Sequence, residues 1–273
     1  MPGIGSWTLD PLELAPLALI TVAYGVRTRT LARRGSPVAW WRAALFGFGV
    51  LTLFFALASP VAALGEERFA WHMVQHLLLG DLAPLALLLG LTGPLLRPLL
   101  ALPPVHALRG LAHPLVALPL WVANLYLWHL PVAYEAAIRN DLVHALEHLS
   151  FFTAGLLMWA AVLETLPAPE WFGTGAKLGY IVAVRLTSMV LANVFFWSET
   201  VFYEPYARVG VADQAAAGAI MMVWGSIVTI VAFAWLFLRM FEEGERRQEL
   251  LERGLDPRAV RRAVRYGRAE DLS

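Results

Sequence analysis

Long apolar runs alternate with short polar ones along the chain, and the runs have the length of helices that cross a bilayer. A span takes about 20 apolar residues, because each helical residue rises about 1.5 Å. On that rule the sequence predicts seven spans, at about 10–27, 39–59, 69–91, 113–131, 141–164, 177–198 and 213–240. Residues 92–112 are apolar too, but prolines at 94, 98, 103 and 104, with another at 114, predict a broken interfacial loop there. The fold class expected is all-α, a polytopic membrane protein with a seven-helix domain over 1–240. Residues 241–273 then form a charged tail whose Glu and Arg recur at helical spacing, as in a solvated amphipathic helix held by i,i+4 pairs. A partner or anionic headgroups are the sharper alternative for that tail.

Composition narrows the class. The 273 residues are 59% apolar and 15% charged, which an ordinary soluble domain is not. Equal numbers of basic and acidic residues, 21 each, give no general pull toward nucleic acid. There is no cysteine, so disulfides and thiolate metal sites are excluded, and any metal must use His, Met, Asp, Glu, Tyr or backbone. The opening residues, MPGIGSWTLD, carry no Lys or Arg ahead of an apolar run. The first stretch is therefore expected to be a retained helix and not a cleaved signal peptide.

Charge sets the expected orientation. Arg27, Arg29, Arg33 and Arg34 lie between the first two spans, Arg97 and Arg109 between the third and fourth, and nine arginines from Arg239 onward follow the last. Only Arg68, Arg139 and Arg208 occupy the opposite segments, each accompanied by acids. The positive-inside rule then places the N-terminus outside and the tail in the cytoplasm.

That orientation gathers the histidines. WHMVQH puts His72 and His76 in the first turns of the third span, and HALEH puts His144 and His148 at matching depth in the fifth. His129 closes the fourth span on the same side, in YLWHLPVAY, while His106 and His113 lie at the other surface. Positions i and i+4 differ by about 40° of rotation, so each pair shares a face, with Gln75 and Glu147 on its flank. A lone His near a helix end usually reaches for headgroups. Five on one leaflet, four of them in two spaced pairs, point instead to a metal site, with a hydrogen-bond network as the bland alternative. Glu147 is placed to hold a ligating ring by its second nitrogen or to move a proton.

Imidazole suits zinc, copper, iron and nickel alike. In DQAAAGAIMMVW, Asp213, Gln214, Met221 and Trp224 fall within about 100° of one another by rotation, and a Met221 thioether would favour copper. Flexible packing is an equal reading of Met221 and Met222. Tyr134 is a further polar neighbour. Asp81 and Arg185, at similar depth in different spans, are expected to form a structural ion pair, since neither is tolerable alone in lipid.

WHMVQHLLLGDLAPLALLLG, LYLWHLPVAYEAAIRNDLVHALEHLSFFTAGLLMW and DQAAAGAIMMVW, in that order, resemble the Bacillus-type CtaG family of seven-span assembly factors for caa3-type cytochrome c oxidase. The likeness runs from about residue 69 to 225. It implies a protein of the bacterial cytoplasmic (inner) membrane that handles copper, as Cu(I), for the CuB centre of a haem–copper oxidase. Its site residues would be His72, His76, His129, His144 and His148, with Asp213 and Met221 as weaker additions. The oxidase, through its subunit I, is the partner so implied, with no catalytic turnover of the chain's own; an outer-side copper chaperone and a second copy of the chain are further candidate partners.

Other classes compete. HALEH matches the H-x-x-E-H pattern of zinc hydrolases, in which Glu147 would activate a zinc-bound water. A copper permease would use the same histidines as the first stop on an inward path. Paired histidines also ligate haem between membrane helices, but here the two levels are separated by only about 6 Å. Seven spans alone suggest retinal, and the last span has no lysine for a Schiff base.

Overall fold

Proline and small polar residues decide where the helices begin. Ser59 Oγ accepts from Val61 N at 3.2 Å with Pro60 at the first helical position, so the chain restarts there as a separate helix. Asn140 Oδ1 accepts from Leu142 N and Val143 N at 3.0 and 3.1 Å. Pro131 bars helical geometry at Leu130, which sits at φ −68°, ψ 134°. The computed structural model describes residues 7, 11–103, 105, 109–166, 168–265, 267 and 269. Among them every regular element is helical. His106 lies outside the described residues.

The helices are α1 (Pro11–Arg33), α2 (Trp40–Ala58), α3 (Pro60–Glu67), α4 (Phe69–Gly90), α5 (Gly93–Leu100) and α6 (Pro114–Trp128). They continue as α7 (Pro131–Arg139), α8 (Asp141–Leu163), α9 (Thr174–Trp197), α10 (Val211–Glu252) and α11 (Pro257–Arg265). Five of these, α2, α4, α8, α9 and α10, are long and apolar enough to cross a membrane. A sixth span is the pair α6 and α7 if taken together, although it bends by 71° at its break. The described helices thus supply five or six of the seven expected spans, in a multi-pass membrane protein. The 23-residue α1, at the first expected span, is not among them. Residues 92–112 hold α5 and a short 3-10 turn at Arg109–Ala112, in keeping with a broken segment.

Two compact units result, one of Met1–Ala168 with Thr187–Trp224 and one of Pro169–Leu186 with Gly225–Ser273. In the second, Glu243 accepts from Thr174 Oγ1 at 2.7 Å and from Arg239 Nε at 2.8 Å. Arg265 donates to the carbonyls of Pro169, Glu170 and Phe172. Leu250, Val260 and Ala269 form a small apolar cluster, so the tail has packing of its own. Span seven and the start of the tail are one 42-residue helix.

In the first unit, α4 carries the decisive irregularity. Pro84 has no N–H to offer the Gly80 carbonyl, and the helix widens into a π turn at Leu78–Leu82. Ala83 N accordingly donates to Leu78 O, five residues back. The freed Gly80 carbonyl meets α8 at Gly155. A Cβ at Gly155 would fall onto that carbonyl and lie 3.1 Å from Pro84 Cγ. Only a glycine lets the two backbones touch.

Asp81, inside the π turn, accepts from Trp159 Nε1 at 2.7 Å and from Trp224 Nε1 at 2.6 Å. Two indole N–H groups thus satisfy one carboxylate and tie α4, α8 and α10 together. Arg185 belongs to the second unit, where it donates to Ser226 Oγ at 2.8 Å. The polar pair expected from charge therefore also has neutral partners, each within its own unit. At the other end of α4, Arg42 donates to Leu89 O and Leu91 O at 3.0 and 2.9 Å, which caps its last carbonyls.

Gly155→Ala should cost about 1–3 kcal/mol, because the added methyl forces α4 and α8 apart. Thermal unfolding in detergent reads this as a lowered midpoint. An unchanged midpoint would show that the helices can separate freely.

Candidate metal centre

Local sequence aims each histidine. Asp213 Oδ2 accepts from Ala70 N at 3.3 Å, holding the first turn of α4 from α10. His72 and His76 follow within two turns, buried at 1% and 5% exposure. The Asn140 cap fixes the start of α8, so His144 and His148 fall in its first two turns. Trp128 Nε1 donates to Ser150 Oγ at 2.6 Å, and Ser150 Oγ to Glu147 O at 2.8 Å. That chain ties the end of α6, and with it His129, to α8.

All five histidines predicted as ligands come together. Ring centroids of His72 and His76 are 4.2 Å apart, as are those of His144 and His148. Across the helix pair, His72 faces His144 at 5.5 Å and His76 faces His148 at 5.8 Å. Glu147, fully buried, reaches both α4 rings: Oε2 lies 3.9 Å from His72 Nε2 and Oε1 lies 3.6 Å from His76 Nε2. One ligand atom from each of His72, His144 and Glu147 lies within 4.8 Å of the other two.

Many polar atoms of this cluster have no hydrogen-bond partner among the described residues. That holds for both nitrogens of His72 and His76, for Nε2 of His144 and His148, and for both carboxylate oxygens of Glu147. Each such atom costs about 1–3 kcal/mol when buried and unsatisfied. A buried carboxylate costs more unless a cation or proton accompanies it. One metal ion accepts lone pairs from several imidazoles and the carboxylate at once, and balances the charge. The residues present therefore fit a bound cation of the imidazole-preferring kind, copper or zinc included.

His129 differs from the other four. Its Nδ1 lies 2.7 Å from Leu125 O and its Nε2 lies 3.4 Å from Met73 Sδ. Met73, 1% exposed, was not among the sequence-predicted ligands. The available signal was a thioether inside the H-x-x-x-H spacing itself.

Aromatic side chains close one end of the cluster. Tyr134 stacks on Tyr203 at 4.0 Å and lies 5.1 Å from the His72 ring. Tyr134 OH donates to Tyr206 OH at 3.2 Å, Tyr206 OH to Gly65 O at 2.7 Å, and Tyr203 OH to His129 O at 2.9 Å. Burial raises the phenols of Tyr203 and Tyr206 well above their usual range, with Glu147 adding to both. Both remain neutral hydroxyl donors. The segment carrying them is pinned by Gln214, which accepts from Phe202 N at 2.9 Å and donates to Thr200 O at 3.0 Å.

The other predicted neighbours have positioning contacts. Gln75 donates to Ala56 O at 2.9 Å and so joins α4 to α2. Asp213 is spent on Ala70 N. Met221 packs in the aromatic core with Phe69, Phe195 and Tyr203.

A model of the cytochrome c oxidase caa3 assembly factor family matches residues 22–243. The chain belongs to that family. Uncharacterized proteins of Mycobacterium bovis and Mycobacterium tuberculosis are each 25% identical over 240 residues, covering 78% of this chain and 36% of their own length. An uncharacterized protein of Mycobacterium leprae is 24% identical over 196 residues, covering 65% and 29%. The chain thus spans about a third of the length of the curated relatives it matches. No solved structure matches it. For a member of the caa3 assembly factor family, the histidine cluster is the feature that chemistry must explain.

Glu147→Gln separates a binding group from a structural one. The amide carries no charge and its NH2 can donate to His72 or His76. The metal-free protein should then be more stable by about 1–3 kcal/mol, while its affinity for copper falls at least ~10-fold. Melting in chelator, paired with copper titration, checks both. A less stable metal-free variant with full affinity would contradict the assignment.

Proposed function

We propose that this caa3 assembly factor holds copper in the His72, His144 and Glu147 set, with His76 and His148 completing it, and passes the ion to the CuB centre in oxidase subunit I. The observation that carries this reading is the group of buried His72, His76, His148 and Glu147 with half-buried His144, whose Nε2 atoms and carboxylate oxygens have no hydrogen-bond partner among the described residues. A purely structural network would have partnered its members. Family membership supports an oxidase as the recipient, and imidazole donors are compatible with copper as the cargo.

The N-out, C-in orientation of the seven-span reading belongs to the same proposal. It places the cluster near the outer surface, where an outer-side chaperone would deliver the ion. Glu147 offsets the charge of the ion, which neutral imidazoles alone would leave uncompensated in lipid. The closed aromatic end, through Phe69, Tyr134, Tyr203 and Tyr206, keeps bulk water from competing for the metal.

The test is made on the recipient. Oxidase purified from cells whose only copy of this factor carries His72→Ala and His144→Ala should contain haem but lose most of its CuB copper, with activity down ~10-fold or more, the scale of losing ligands from a metal site. Fully copper-loaded oxidase from cells in which the variant protein accumulates normally would refute the proposal.

A further inference from the structure

His129 stands apart from the other four histidines in what its ring touches. The Leu125 carbonyl accepts only, so the 2.7 Å contact requires that Nδ1 carry the ring proton. In the neutral ring Nε2 then bears a lone pair, and this nitrogen is aimed at Met73 Sδ, 3.4 Å away. A thioether sulfur has no hydrogen to give. The contact is therefore between two electron-pair donors with no proton between them. Both groups are buried, at 8% for His129 and 1% for Met73. The main chain at His129 is held as well, since Tyr203 OH donates to its backbone carbonyl at 2.9 Å.

Two facing donors, one nitrogen and one soft sulfur, are what a soft monovalent cation takes up. With metal–nitrogen and metal–sulfur bonds of about 2.0 and 2.3 Å, donors this far apart subtend about 105° at the ion, near the tetrahedral angle. We propose that Met73 Sδ and His129 Nε2 form a second subsite, selective for Cu(I) or its surrogate Ag(I), beside the imidazole–carboxylate cluster. This rests on the reading of that cluster as a copper site, and adds a soft station to it. His76 links the two. Its ring is 6.3 Å from that of His129 and its Nε2 is 3.6 Å from Glu147, so an ion moves between stations without leaving the protein.

Position on α4 explains the division of labour. Met73 follows His72 by one residue, about 100° around the helix, so it faces α6 while the histidines face α8. The nitrogen and oxygen donors collect on one side and the sulfur on the other.

The test uses the absence of cysteine: any metal–sulfur bond in this protein must come from one of its seven methionines. X-ray absorption of the purified full chain loaded with Ag(I), and separately Cu(I), should show one sulfur shell in the wild type. Met73→Leu, of similar volume, should lose that shell and bind Ag(I) at least ~10-fold more weakly, the effect expected for a lost ligand. Met221→Leu should retain both. If Met73→Leu fails to accumulate, selenomethionine protein answers instead, by a metal–selenium shell in the wild type that is absent from His129→Gln. A sulfur shell that survives Met73→Leu, or a wild-type spectrum with nitrogen and oxygen alone, would overturn the soft subsite and leave the imidazole site standing. Failure of the wild type to bind either ion would overturn both.

Discussion

The contact between Gly80 and Gly155 sets everything above it. Pro84 deprives Gly80 of its hydrogen-bond donor, the helix opens by one residue, and the exposed carbonyl needs an opposing residue without a side chain. Gly155 is that residue. With α4 and α8 fixed backbone to backbone, the stretches about one to three turns away face each other at a set height, and those stretches carry His72, His76, His144 and His148. Asp81, in the same turn, fastens the arrangement by accepting from Trp159 and Trp224. The metal centre is thus positioned by apolar and backbone geometry outside it, and this leaves its own polar atoms unspent.

That separation of duties recurs around the site. Groups that could ligate but do not are used for support. Gln75 ties α4 to α2, Asp213 holds the first turn of α4, and Tyr203 and Tyr206 bond backbone carbonyls. Among the described residues, the site atoms left without partners are both nitrogens of His72 and His76, Nε2 of His144 and His148, the Glu147 carboxylate and Gln75 Oε1. Keeping these atoms buried costs stability, and Glu147 offsets part of that cost by lying 3.6 Å from His76 Nε2 and 3.9 Å from His72 Nε2. In a protein of the caa3 assembly factor family, the proposed ion would offset the rest.

Much of the site was legible in sequence because a spacing of four is nearly one helical turn, so H-x-x-x-H declares its own face. Gln75 and Glu147 occupy the same offset in the two stripes, yet one enters the cluster and the other turns to α2. On two helices that run parallel and face each other, equal offsets point to opposite sides, which neither stripe alone can reveal. Met73 escaped for a related reason, since its partner His129 comes from a third helix. Five or six of the seven expected spans were legible from apolar length. The expected fourth, 113–131, stops where Pro131 starts α7, and α6 counts as a span only together with α7, across a 71° bend. No residue pattern announced the two indoles on Asp81, because indole N–H donors leave no charge signal in the sequence.

The central claim is that the buried imidazoles and carboxylate complete themselves with copper. Elemental analysis of protein purified in detergent from copper-supplied cells tests it most directly. The account predicts bound copper near stoichiometric with chain in the wild type and its loss in a His76→Ala/His148→Ala variant that remains folded and monodisperse. Equal copper in both, or none in the wild type, would contradict it.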